Sequence, residues 1–285
     1  MRRLPPLPGL CSDVHLSRET ETAGYRLLSL EATGSTNDDA LRAAQQGDPG
    51  KLWIVAAEQN AGRGRHGRQW SSPVGNLYAS LLLIDPCDAP SAPQLGFVAG
   101  LALHEAIEAI TGTGHPRLAL KWPNDVLLDG GKVSGLLLEG HRIGGTLAII
   151  IGCGVNIALA PSGTPYPTAS LRTLREDVTR EAIFEALSSA FARTFSAWQA
   201  ASRLAPSDRF GAIRHLWLER AAGIGQNVTI RLPAGNRQGC FDGLDRHGRL
   251  MLKTPTGTEL IDAGDLYFPH LQHDIDKLAP GTTRS

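Results

Sequence analysis

Cysteine is scarce in this chain, with only Cys11, Cys87, Cys153 and Cys240 among 285 residues. They stand far apart, without a Cys-x-x-Cys or a Cys/His pair at ligand spacing, so neither a disulfide framework nor structural zinc is indicated. A bias of charge is also lacking: 28 basic residues meet 28 acidic ones, for a net charge of zero. A protein that coats nucleic acid would show a basic balance, which argues against DNA or RNA as the partner. No apolar run is long enough to span a bilayer, and the N-terminus has no charged-then-apolar leader. The expectation is a cytoplasmic protein with no membrane partner. There is no Walker A sequence either, because Gly131-Lys132 lacks the preceding glycine spacing and is followed by Val133. No Ser/His/Asp triad is evident, and internal repeats are absent.

What is present is concentrated. Gly62-Arg63-Gly64-Arg65-His66-Gly67-Arg68-Gln69-Trp70 packs three arginines, three glycines and a tryptophan into nine residues. Glycines let backbone N–H groups approach a ligand, and each guanidinium carries a fixed charge with forked donors suited to phosphate or carboxylate. The run also satisfies Gly-x-Gly-x-x-Gly after an apparent strand. That dinucleotide fingerprint requires a helix next, whereas Gln69–Asn76 has no helical period and contains Pro73 and Gly75. A loop that orders around an anion is the better reading.

With 42% hydrophobic residues, the chain suits one large domain and a small one. Residues 1–24 read as an irregular lead-in. Strands are predicted at Tyr25–Leu30, Leu52–Glu58 and Leu77–Ile84, with a helix starting at Ser35-Thr36-Asn37-Asp38 in capping-box fashion. Gln94–Thr111 carries a helical apolar stripe. Arg117–Lys121, Lys132–Glu139 and Thr146–Ile151 are strand-like, and the short turns between them suggest antiparallel neighbours. Helices are predicted at Thr179–Ala200, with Ile183, Leu187, Phe191, Phe195 and Trp198 in register, and at Phe210–Leu218. After Gly223 come five short strands, about the size of a small SH3-like barrel. The predicted class is α+β, with a catalytic unit at 25–222, a β-rich unit at 223–270 and a tail at 271–285.

A second constellation is Lys121-Trp122-Pro123-Asn124-Asp125. It reads either as a strand-ending turn or as a functional turn whose lysine joins Arg63 and Arg65 at one anion. Lys132-x-x-Gly135 and Gly152-x-Gly154-x-Asn156 add a cation and small residues on apolar strands.

Taken in order, Ser35-Thr36-Asn37, Glu58-Gln59, the Gly62–Arg68 run, Lys121–Asp125, Lys132-x-x-Gly135 and Gly152-x-Gly154-x-Asn156 resemble the bacterial biotin protein ligases. The resemblance runs from about Tyr25 to Phe268. It implies a class II synthetase-like catalytic fold: a central mixed sheet with helices packed on one side, plus a small C-terminal SH3-like β-barrel. The activity implied is activation of biotin with ATP and Mg²⁺ to biotinyl-5′-AMP, then transfer to one lysine of a biotin carboxyl carrier protein, by a monomer or homodimer. Carried over by residue, Ser35, Thr36, Asn37 and Gln59 belong to the biotin pocket. Gly62, Arg63, Gly64 and Arg65 form the loop that closes over biotin and adenylate. Lys132 and Gly135 contact the carboxylate or adenylate region, and Gly152 and Asn156 complete the binding set.

Biotin's carboxylate is already ionised near neutral pH, so its attack on the α-phosphate needs no general base, only suppression of anion–anion repulsion. Arg63, Arg65, Lys121 and Lys132 are the candidates for that work. The carrier lysine must lose a proton before it attacks, and Asp125 is the candidate acceptor or orienter, beside a plain reading as a turn aspartate. Larger members of that family carry a helix-turn-helix domain ahead of the catalytic one. About two dozen residues precede Tyr25 here, so a monofunctional ligase without DNA binding is expected.

Overall fold

The computed structural model describes residues 14–204 and 208–268, so most of the Pro-containing lead-in and the whole expected tail lie outside the described residues. The elements run α1 (Arg18–Thr22), β1 (Arg26–Thr33), α2 (Thr36–Gln45), β2 (Leu52–Gln59), β3 (Leu77–Ile84), α3 (Gln94–Thr111), β4 (Leu118–Lys121), β5 (Asp125–Leu128), β6 (Gly131–Ile143) and β7 (Thr146–Val155). They continue with α4 (Arg180–Leu204), α5 (Gly211–Leu218), β8 (Asn227–Leu232), β9 (Gly235–Leu244), β10 (Leu250–Thr254), β11 (Gly257–Ile261) and β12 (Asp265–Tyr267).

Seven strands form one sheet in the order β1-β2-β3-β7-β6-β5-β4. Only β1 and β2 run parallel; the other neighbours are antiparallel, giving the mixed sheet. Strand alternation sends Trp53, Val55, Leu81 and Ile151 to one face and Ile54, Leu82 and Ile150 to the other. The first face is covered by the long helices. Phe191, Phe195 and Trp198 of α4 stack in series, and Trp53 meets Phe184 and Phe191 edge to face at 5.6 and 5.9 Å. Such pairs add about 0.5–1.5 kcal/mol beyond the area they bury. α3 packs beside α4 on the same face, over β4 to β7, and ends where Gly112 adopts φ 70°. The short α2 packs Ala40 and Ala44 on the opposite face, which brings its N-terminus to the end of β2.

Two local readings change. The Lys121–Asp125 turn is followed at once by β5, a four-residue strand inserted between β4 and β6. Such a length shows no period, which is why three strands were expected where four occur. Ser35 does stand at the N-cap of α2, but its side chain makes no cap hydrogen bond. Gln59 Oε1 accepts the Thr36 N–H at 2.9 Å instead, so a residue from the neighbouring strand caps the helix.

The C-terminal unit corrects the predicted fold class. Its five strands form an open antiparallel sheet, β11-β10-β9-β8-β12, not an SH3-like barrel. Closure would need β11 and β12 to pair, and among the described residues they do not. Strand number and length are compatible with a barrel, but closure depends on tilt and stagger, which a count of short strands cannot supply. The three-residue β12 pairs with β8 alone and turns Gly264 and Asp265 toward the glycine-arginine loop.

Candidate active site

The separate sequence motifs come together in one cleft at the ends of β2, β6 and β7. Its floor is the capped N-terminus of α2. Gln59 Oε1 receives the Thr36 N–H and lies 3.1 Å from Thr36 Oγ1, while Gln59 Nε2 donates to Ser72 Oγ at 3.1 Å. Ser35, Thr36 and Asn37 are all buried. Gly152 sits beneath Asn37, where a Cβ would run into the carboxamide, and Gly154 lies under the Trp70 indole in the same way.

The glycine-arginine run forms the lid side. Arg63 and Gln69 are bridged, Gly64 N–H donates to Arg68 O at 2.7 Å, and Trp70 N–H donates to Gly62 O at 2.9 Å. It is therefore a small hairpin, and no helix follows it. His66 turns the hairpin with φ 57°. Arg63 forks onto Asp38 at 2.7 and 2.9 Å, which raises its pKa, and Glu139 lies 3.7 Å away. Arg65 points the other way, to Asn124 Oδ1 at 3.3 Å and Gly264 O at 3.1 Å, with Asp265 at 3.6 Å. Arg68 pairs with Asp265.

Opposite the hairpin, the two lysines of the motifs converge on one carboxylate. Lys132 Nζ is 2.7 Å from Asp125 and Lys121 Nζ is 3.7 Å from it. Burial lowers the pKa of Lys121, Asp125 raises it and Lys132 lowers it further. Burial also lowers that of Arg65, against Asp265 and Asp125. The cleft wall thus holds Arg63, Arg65, Arg68, Lys121 and Lys132 against Asp125 and Asp265, an excess of positive charge where an anion could lie. Lys132 Nζ also stands 5.4 and 5.5 Å from the ring centres of Trp70 and Tyr166.

The structure brings Ser35, Thr36, Asn37, Gln59, Arg63, Gly64, Arg65, Lys121, Asp125, Lys132, Gly135 and Gly152 to the cleft wall. Gly62 and Asn156 brace it from behind. A Cβ at Gly62 would meet Ser72 Oγ at 2.6 Å, and Asn156 Nδ2 donates to Lys132 O at 3.3 Å. Arg63 does not join Lys121 and Lys132 at Asp125; its carboxylate partners are Asp38 on α2 and Glu139 on β6. Sequence reasoning missed Tyr166, Asp265, Ser80 and Glu139. The first two come from segments with no local signature, and the last two look like ordinary strand residues. Cys153 also lines the cleft, with burial pushing its thiol up to about 12, so it stays protonated.

The cleft sets clustered cations beside a small polar pocket, a lining suited to an anionic ligand. The model of the Biotin/lipoate A/B protein ligase family matches residues 29–156, and that of the Biotin protein ligase C terminal domain matches residues 223–268. A biotin–[acetyl-CoA-carboxylase] ligase of Paracoccus denitrificans is 42% identical over 84% of this chain and 99% of its own length. One from Mycobacterium tuberculosis is 31% identical over 86% and 90%. The solved biotin protein ligase from Aquifex aeolicus in complex with biotin and ATP superposes with a TM-score of 0.71 at 28% identity, covering 85% of this chain and 97% of that one. The chain belongs to the biotin protein ligase family.

Proposed function

We propose that this chain activates biotin with ATP to biotinyl-5′-AMP and transfers the biotinyl group to a lysine of a biotin carboxyl carrier protein domain. The observation that supports it most is the convergence of Arg65, Lys121 and Lys132 beside the Gln59–Thr36 floor. Biotin's ureido group needs partners for one carbonyl and two N–H groups once buried, and Ser35, Thr36, Asn37 and Gln59 are the polar groups at that end of the cleft.

At the other end, the cations meet the carboxylate and the α-phosphate. They suppress repulsion between two anions, hold the attacking oxygen in line and stabilise the charge of the transition state. Arg63 leaves Asp38 to reach the adenylate as the hairpin closes, and closure shields the acyl adenylate from water. Mg²⁺ enters with ATP as part of the substrate. Asp125 is engaged by Lys132. In the second step Asp125 orients the incoming amine. A supply of ATP implies a cytoplasmic setting; among the described residues no helix is long and apolar enough to cross a membrane.

Intact-mass measurement of a carrier domain incubated with this protein, Mg-ATP and biotin, lipoate or octanoate tests the reading. A biotinyl increment with biotin alone, abolished when the carrier lysine is replaced, is expected. A lipoyl or octanoyl increment, or none on a verified carrier, overturns it.

A further inference from the structure

The base of the glycine-arginine hairpin is tied to the pocket floor by a line of hydrogen bonds whose direction is fixed by main-chain groups at both ends. At the floor, the Thr36 N–H can only donate, so the Gln59 atom it meets at 2.9 Å is Oε1. The Thr36 hydroxyl lies 3.1 Å from the same oxygen. Gln59 Nε2 is thereby turned to Ser72 Oγ and donates to it at 3.1 Å. At the hairpin, the Trp70 carbonyl can only accept, and Ser72 Oγ donates its one proton to it at 3.0 Å. Ser72 is buried, and a Cβ on Gly62 would meet Ser72 Oγ, Trp70 O and Gln59 Nε2 at 2.6, 2.7 and 3.0 Å, so all three atoms crowd one glycine. Beyond this junction the Trp70 indole lies against Gly154, with Lys132 Nζ 5.4 Å from its ring centre. The indole N–H is buried and has no hydrogen-bond partner among the described residues. No hydrogen bond of the ring therefore holds it there. Its place is set by packing and by the Trp70 main chain, whose N–H donates to Gly62 O and whose carbonyl accepts from Ser72.

We propose that Ser72 is a positioning residue: it latches the return leg of the hairpin to the Gln59–Thr36 floor and so keeps the Trp70 indole over Gly154 and beside Lys132 while the cleft holds biotinyl-5′-AMP. The proposal rests on biotin being the substrate. Alanine at this position keeps the small side chain but leaves Gln59 Nε2 and Trp70 O without their shared partner in a buried place, a loss that favours swinging of the leg toward water. Ser72 touches no reacting atom, so its effect must pass through Trp70. The orientation of Gln59 does not depend on it, because the Thr36 N–H sets that.

Rates of association and dissociation of biotinyl-5′-AMP with the full chain test this in Ser72→Ala, Trp70→Ala and the Ser72→Ala/Trp70→Ala double variant. Ser72→Ala is expected to release the adenylate about tenfold faster, the scale of a buried hydrogen-bonding group left unpaired, with the association rate within about twofold. The double variant is expected to release it no faster than Trp70→Ala alone, because Ser72 acts by placing the indole which that variant lacks. Release by Ser72→Ala within about twofold of the unmodified chain overturns the proposal. So does an additive double variant, or a matching fall in the association rate, which marks a general disturbance of the cleft. The unmodified chain is first given biotin and Mg-ATP: if it forms no biotinyl adenylate, the substrate reading itself fails, and the proposal with it.

Discussion

Arg68 pairs with Asp265, joining the glycine-arginine hairpin of the large sheet to the last strand of the small one. Arg65 adds a second link, to Gly264 O and to the same carboxylate. The small sheet is thereby part of the lid's support. Asp265→Asn is expected to increase trypsin cleavage in the Arg63–Arg68 hairpin and to shorten adenylate retention several-fold. The loss of stability should stay at or below about 1 kcal/mol, because the Arg68 side chain is largely exposed. Limited proteolysis and thermal melting measure the two effects.

Acid should loosen the same link. Burial works to raise the pKa of Asp265, but the hydrogen bond from Arg68 and the charges of Arg68 and Arg65 hold it below the ordinary carboxylate value. The folded protein therefore binds fewer protons there than the unfolded chain. The stabilisation is full above a pH of about 4 and is lost as pH falls through the lower folded value. Melting temperature followed down from neutral pH should fall less steeply below that point in Asp265→Asn than in the unmodified chain.

Lys132 is the cation nearest Asp125 and stands beside two aromatic rings. Lys132→Ala is expected to lower single-turnover adenylation by about 10²–10³-fold, the scale of losing one preorganised charge at a developing anion. Its circular dichroism should be unchanged. Arg65→Ala should keep the fold and release adenylate faster; unchanged retention would remove Arg65 from the site.

Gly152→Ala puts a methyl group against the Asn37 carboxamide. Because Asn37 is held between Ser80 and Glu139, it cannot give way without breaking a hydrogen bond. A raised KM for biotin with little change for ATP is expected in steady-state adenylation.

Trp198→Ala removes a buried ring that stacks on Phe195 and donates to Gln94 Oε1 at 2.9 Å. A loss of about 3–5 kcal/mol is expected by denaturant titration, with the cleft's chemistry retained in the folded fraction.

The helical stripe Ile183, Leu187, Phe191, Phe195 and Trp198 was legible because a 3.6-residue period survives in one dimension, and all five side chains are buried in α4's face. β3 and α3 also have the predicted bounds, β3 as a nearly continuous apolar run and α3 as a long segment with a helical stripe. β5 did not, being too short to show a period. The capping of α2 by Gln59, and the openness of the C-terminal sheet, depend on partners distant in the chain.

The amino-acid sequence by itself determined the family, the mixed α+β class and most of the residues that meet at the cleft, because glycines, cations and polar side chains stand at fixed spacing along it. Tertiary structure alone decided that Arg63 faces Asp38 and Glu139 while Arg65 faces Asn124 and Asp265, and that Lys121 and Lys132 share Asp125. Charge pairing acts over a few ångströms in space, and sequence order does not state which carboxylate folding will bring within that reach.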